Sequence, residues 1–253
     1  MTENSVNGDR LVVDIDSSAN ENSIGHISVL GEKVELFSER KAEKDVLSLT
    51  RLKCGRIDYD ANAELVTAKG PGVIEIDNSN APAVKPSEEG AGSQVTLKEP
   101  CYALIEDFDT LKWYTLENKI IADGSSGSVK IQHIPVVKLE PKPEFGKVTY
   151  AAARNIEADF ITNPQGRTEL ASVTASDTVS FMEKGVDEVA NSFIGDRLFY
   201  NVSQSKMVIT GTEGNPCMVN GYNTDNISYD LSTGELVTDL YGPSTIQLPQ
   251  KPK

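Results

Sequence analysis

Three segments of the chain repeat one pattern, and that repeat limits the fold more than any other feature. Gly55-Arg56-Ile57-Asp58-Tyr59-Asp60 leads into Glu64-Leu65-Val66-Thr67, Asp196-Arg197-Leu198-Phe199-Tyr200-Asn201 into Lys206-Met207-Val208-Ile209, and Asp225-Asn226-Ile227-Ser228-Tyr229-Asp230 into Glu235-Leu236-Val237-Thr238. Each copy reads as a strand, a polar turn and a returning strand. The turns carry the Asp, Asn, Ser and Gly residues that favour chain reversal. Side chains alternate with period two along a strand, so Ile57 and Tyr59, Leu198 and Tyr200, and Ile227 and Tyr229 each share a face. The returning strands reach Gly70, Gly211 and Gly242, and Gly8-Asp9-Arg10-Leu11 opens the chain as a looser copy of Gly195-Asp196-Arg197-Leu198.

The texture continues between the copies. Lys147 to Tyr150, Ile156 to Ile161, Glu169 to Thr174 and Thr178 to Met182 read as short strands, with Asn163-Pro164-Gln165-Gly166 as a turn. Helical periodicity competes only over Ser38 to Leu49, where Val46, Leu47 and Leu49 still favour a strand. The expectation is an all-β, antiparallel jellyroll or folded sheet built from strand-turn-strand units. Two stretches punctuate it, Pro86 to Ser93 and the Pro-rich residues 135–146. The second divides an N-terminal β half (1–134) from a C-terminal β domain (147–250), because proline fixes φ and removes ladder donors.

At 253 residues the chain can bury a substantial core as one or two units. Its formal charge of -14 argues against nucleic acid, whose binding depends on Lys and Arg displacing counterions. No apolar run approaches the roughly 20 residues of a membrane-spanning helix. The start, MTENSVNGDR, has neither a basic n-region nor an apolar h-region, so either the chain stays in the cytoplasm or it is the mature part or an excised piece of an exported protein. Cys54, Cys101 and Cys217 have no metal-ligand spacing. A Cys54 to Cys101 bridge is one reading and buried free thiols the commoner one.

Little catalytic chemistry is legible. His26 and His133 cannot build a multi-histidine metal site, and no serine lies in a nucleophile-elbow pattern. Glu106-Asp107-Phe108-Asp109 offers paired carboxylates, but solvated strand ends explain them equally. Asp14 to Ser18 begins like a calcium loop and fails at Ala19, where glycine is required. Gly124 to Ser128 is a turn rather than a phosphate cradle. The sequons at Asn201 and Asn226 lie in or beside the repeat units, and Trp113 reads as a strand aromatic before a sugar platform. Neither a cofactor nor a metal is expected.

From about Val148 to Leu248 the order of signals resembles the OstA-like family of lipopolysaccharide-transport proteins, the LptA and LptC type. Ala158-Asp159-Phe160-Ile161, Leu170, Val173-Thr174-Ala175, Val179-Ser180-Phe181, Gly195 to Tyr200, Val208 to Gly211 and Asn226 to Asp230 carry the likeness. It implies a folded sheet, or β-taco, with acyl chains lying in an apolar interior, and a periplasmic location. On that reading Ile57, Tyr59, Leu65, Leu198, Tyr200, Met207, Ile209, Ile227, Tyr229 and Leu236 line the groove, although a filled core demands the same residue types. The expected function is non-catalytic binding or transport of an amphipathic lipid, such as lipopolysaccharide or a related glycolipid. A further copy or a related Lpt-type β protein would join by edge-strand addition. The rivals are a structural module that assembles through open sheet edges and a carbohydrate-binding or hydrolytic β domain.

Overall fold

The structure is a computed structural model, which describes residues 2–16, 23–42, 45–78, 95–96, 100–138, 142–162, 168–185, 191–212 and 214–240. The expected turn at 163–166, the punctuation at 86–93, Ala19 and Gly242 lie outside them. The strands are β1 (Thr2–Asn7), β2 (Arg10–Asp16), β3 (Ser23–Ala42), β4 (Asp45–Asp60), β5 (Leu65–Asp77), β6 (Val95–Thr96), β7 (Cys101–Tyr114), β8 (Lys119–Asp123) and β9 (Val129–Lys138). They continue as β10 (Glu144–Phe145), β11 (Val148–Ala153), β12 (Asn155–Thr162), β13 (Thr168–Lys184), β14 (Asn191–Asn201), β15 (Lys206–Thr210), β16 (Cys217–Val219), β17 (Tyr222–Asp230) and β18 (Leu236–Leu240). All join one sheet, antiparallel except where β6 meets β13, so the all-β folded-sheet expectation holds. Ser38 to Leu49 is strand throughout its described part.

The sheet is folded along a line that crosses its strands. β3, β4, β5, β13 and β17 each shift register midway, between Leu30 and Val34, Lys53 and Arg56, Lys69 and Val73, Ser176 and Val179, and Thr224 and Ile227. Elsewhere the chain breaks at the same line, between β1 and β2, β8 and β9, β11 and β12, and β15 and β16. Bulges of this kind bend a strand and sharpen its twist. Two arms result. The first holds β2, β8, β12, β15, β18 and one half of each long strand, and the second holds β1, β9, β11, β16 and the other halves. The short strands expected at Glu169 to Thr174 and Thr178 to Met182 are therefore the two limbs of β13, joined through Asp177 and Thr178 at φ 66° and 65°.

Close approach explains the glycines at the fold line. A Cβ on Gly72 would overlap the ring of Phe108, which is fully buried there, and one on Gly195 would come within 2.5 Å of Ile209 Cγ2. Acidic side chains fasten the same corners. Asp9 accepts the Glu32 amide at 3.0 Å, Asp109 accepts the Ser126 amide at 2.6 Å, and Asp196 accepts Thr212 and Asn215. The Glu106 to Asp109 cluster thus has structural work: Asp107 pairs with Lys130 at 2.8 Å and Asp109 pins the Gly124 to Ser128 turn.

The Pro-rich segment belongs to the sheet as far as Lys138. Pro135 sits opposite Cys101, and its carbonyl accepts the Gly146 amide at 2.8 Å. β9 pairs with β7 on one side and β11 on the other, and β8 pairs with β12, which makes the expected halves direct neighbours in one sheet. All three cysteines are buried thiols, and burial, with Asp196 and Asp225 nearby, pushes the Cys217 thiol up to about 11.

Candidate functional site

Strand register assembles the repeats into continuous rows on the inner face of the fold. Next to the corner, the first arm aligns Leu11, Val29, Ile57, Ala68, Leu111, Ala122, Ile156, Ala175, Leu198, Ile209 and Ile227, each paired across the ladder with the next. Two residues further out runs a second row: Val13, Ile27, Tyr59, Val66, Trp113, Ile120, Ala158, Val173, Tyr200, Met207, Tyr229 and Leu236. The second arm faces them with Val6, Leu36, Leu52, Ile74, Ile105, Ile131, Ala151, Phe181, Phe193 and Val219. No charged side chain occurs in any of these rows.

Of the residues expected to line the interior, Ile57, Leu198, Ile209 and Ile227 occupy the corner row, and Tyr59, Tyr200, Met207, Tyr229 and Leu236 the second. Leu65 does not. It pairs with Asp60 and Tyr114, one step out of phase with Tyr59 and Val66, so its side chain alternates to the outer face and Val66 takes the inner position. Aligning the copies on their turns reveals this. Asp60, Asn201 and Asp230 each fold back on the turn that follows, accepting the amides of Asn62 (2.9 Å), Gln204 (3.2 Å) and Ser232 (2.8 Å). Val66, Met207 and Leu236 then fall at equivalent places.

The same register exposes copies that sequence reading missed or valued little. Asp109-Thr110-Leu111-Lys112-Trp113-Tyr114 is a further unit, with Leu111 and Trp113 in the rows of Leu198 and Tyr200. Its turn ends at Asn118 with φ 50°, matching Glu64 at 45° and Ser205 at 52°. The looser opening copy is in register as well, through Leu11 and Val13.

Burial changes along the rows. Corner residues from Ile57 to Ile227 are almost wholly buried, which makes that row a dry core. The outer rows are mostly only partly buried in the middle of the sheet, where Tyr59, Val66, Trp113, Ile120 and Val173 face Ile74, Ile105, Ile131 and Ala151. The arms therefore enclose a trough above a packed floor. Towards β13–β17 it is blocked. Phe181 stacks on Phe193 at 5.7 Å, Phe193 meets the edge of Tyr229 at 5.1 Å, and the Tyr229 hydroxyl donates to buried Glu183 at 2.7 Å across the arms. Glu183 also pairs with Lys147 at 3.5 Å, so this interior carboxylate has both a donor and a countercharge. At the β1–β2 edge the inner side chains are open to solvent: Leu11 is 65% exposed, Val13 43% and Val6 48%.

Polar clusters lie on the outer face. His26 Nε2 is 2.9 Å from Ser28 Oγ, whose hydroxyl donates to Asp58 at 2.5 Å, and Arg56 holds the same carboxylate at 2.7 Å. Burial opposes ionisation of Asp58, but Arg56, Ser28 and His26 together keep it below the ordinary carboxylate value. Ser28 is 4% exposed and its proton is committed to Asp58, which is not the geometry of a hydroxyl activated by an imidazole. Trp113 has Val66 and Ile120, not acids, as its ladder neighbours. Among the described residues no group of His, Cys, Asp and Glu is placed to hold a metal ion, and no helix is long and apolar enough to cross a membrane.

The anchoring carboxylates give a pH dependence. Hydrogen bonds from the Ser126 amide and hydroxyl hold Asp109 below its ordinary value, and those from the Ser232 hydroxyl and the Thr233 amide do the same for Asp230. A carboxylate depressed in the folded state contributes stability above its unfolded value and loses it as pH falls through the folded one. Melting temperature should therefore drop below pH about 4. In an Asp109→Asn, Asp230→Asn variant the drop should be shallower, as followed by circular dichroism.

Comparison with protein-family models, with curated proteins and with solved structures returned no match, so the site is interpreted from its own residues. Those residues define a folded-sheet β protein with apolar interior rows, closed at one end beside the Tyr229–Glu183 pair.

Proposed function

We propose that the chain binds an amphipathic lipid without catalysis, its acyl portion lying between the arms, as the resemblance of its sequence signals to the OstA-like proteins implies. One observation carries this reading: rows of apolar side chains, free of charge, run along the folded sheet and are mostly only partly buried in its middle. A sandwich filled by its own side chains would bury those rows throughout. Transfer of methylenes from water to such a surface is worth about 0.8 kcal/mol each, enough for useful affinity from one chain. Lipopolysaccharide or a related glycolipid fits the acyl requirement, and a periplasmic location goes with that ligand.

The assembly reading draws on the exposed Val6, Leu11 and Val13 at the β1–β2 edge, an apolar surface that a further sheet edge would cover. The carbohydrate reading draws on Trp113 alone. Solvent extraction and mass spectrometry of protein purified without detergent separates them. A stoichiometric acyl lipid is the expected result; lipid-free protein that also fails to take up added lipid would overturn the proposal.

A further inference from the structure

Resting on the lipid reading, we infer that the trough is a one-ended slot that measures a single acyl chain, rewarding length up to about 19 carbons and no further. Its two ends differ. At β13–β17 the stop is built from both arms, with Phe193 of the second, stacked on Phe181, meeting Tyr229 of the first, and the Tyr229–Glu183 hydrogen bond spanning the gap. Met207 and Tyr229 are 1% and 2% exposed, so nothing longer than the slot can pass between them. At β1–β2 the same rows end in solvent.

Length follows from strand spacing. The second-arm wall runs from Leu36 to Ala151 over β3, β4, β5, β7, β9 and β11. Five intervals of about 4.8 Å make a wall of about 24 Å. An extended alkyl chain, with bonds of about 1.5 Å opening at about 111°, advances about 1.25 Å per carbon. About 19 carbons therefore span that wall, and further carbons protrude into water at the open edge. A peptide is a poor occupant, because its amides would face apolar side chains with no partners. An alkyl chain asks only for apolar contact.

The test is a competition assay with saturated single-chain phosphocholines of about 10 to about 22 carbons, kept below their aggregation concentrations, against a fixed fluorescent chain probe. Affinity should rise about fourfold per methylene and become flat near about 19 carbons. Ala151→Phe fills one strand interval beside the stop and should move the break about four carbons shorter. Ala158→Phe, on the opposite wall, should shorten it independently. Affinity rising without a break, or a break that neither filler moves, would overturn the slot while leaving lipid binding intact. Absence of binding at every length would overturn both.

Discussion

Replacing Phe108 by alanine is expected to cost about 3–5 kcal/mol, a large share of the stability of a domain this size. Phe108 is fully buried at the fold line, and its ring occupies the space that a side chain on Gly72 would fill. The corner of β5 against β7 thus exchanges a missing Cβ for an aromatic ring. Melting should fall by roughly 6–20 °C. The pairing also predicts a strong coupling. Gly72→Ala should be severely destabilising beside phenylalanine and nearly neutral once Phe108 is alanine, so the double variant should be far more stable than the sum of the single effects. Denaturant midpoints of the four proteins measure this directly, and additive effects would mean that ring and glycine are not in contact.

The largest functional effect is expected from a charge on the trough wall. Val66 is partly exposed between Tyr59 and Trp113, so Val66→Asp leaves a carboxylate that water can still reach in the empty protein. The fold should survive. An acyl chain laid over that position would strip its water, at a cost of several kcal/mol, and affinity should fall at least about 100-fold. Leu65→Asp is the matched control, because Leu65 faces outward beside Asp60 and Tyr114; its lipid affinity should stay within about twofold. Aspartate at Leu198 or Ile227 would be less informative, since both lie in the dry floor and folding itself would suffer.

Much of this architecture can be read from the sequence because strand alternation is local. Ile57 with Tyr59, Leu198 with Tyr200, and Ile227 with Tyr229 announce a common face before any register is known, and the Asp and Asn turns announce where each strand returns. Leu65 shows the limit. Leu65 and Val66 are both apolar, but the phase of a returning strand is set by its turn, and the turn places Leu65 opposite Asp60. The fold line was harder to see, since a bent strand reads as two short ones; β13 is the example. Its markers were present as glycines and aspartates at the breaks in period, Gly72, Gly195, Asp109 and Asp196 among them. Glu183 also had a signal, because it stands two residues from Phe181 and therefore shares its face. What no local pattern contains is which strands become neighbours, and hence where the trough is open and where Phe193 and Tyr229 close it.

Trp113 offers the most direct test of the trough as an acyl site. It is the only tryptophan in the chain, and its ring lies in the second row of the first arm between Val66 and Ile120. A single-chain lipid brominated along its tail quenches indole fluorescence only on contact. Titration of the native protein with such a lipid below its aggregation concentration should quench Trp113 saturably, at one lipid per chain, and an unbrominated homologue should reverse it by competition. Fluorescence that stays unquenched while the lipid binds elsewhere, or that declines linearly without saturation, would contradict an acyl chain lying between the arms.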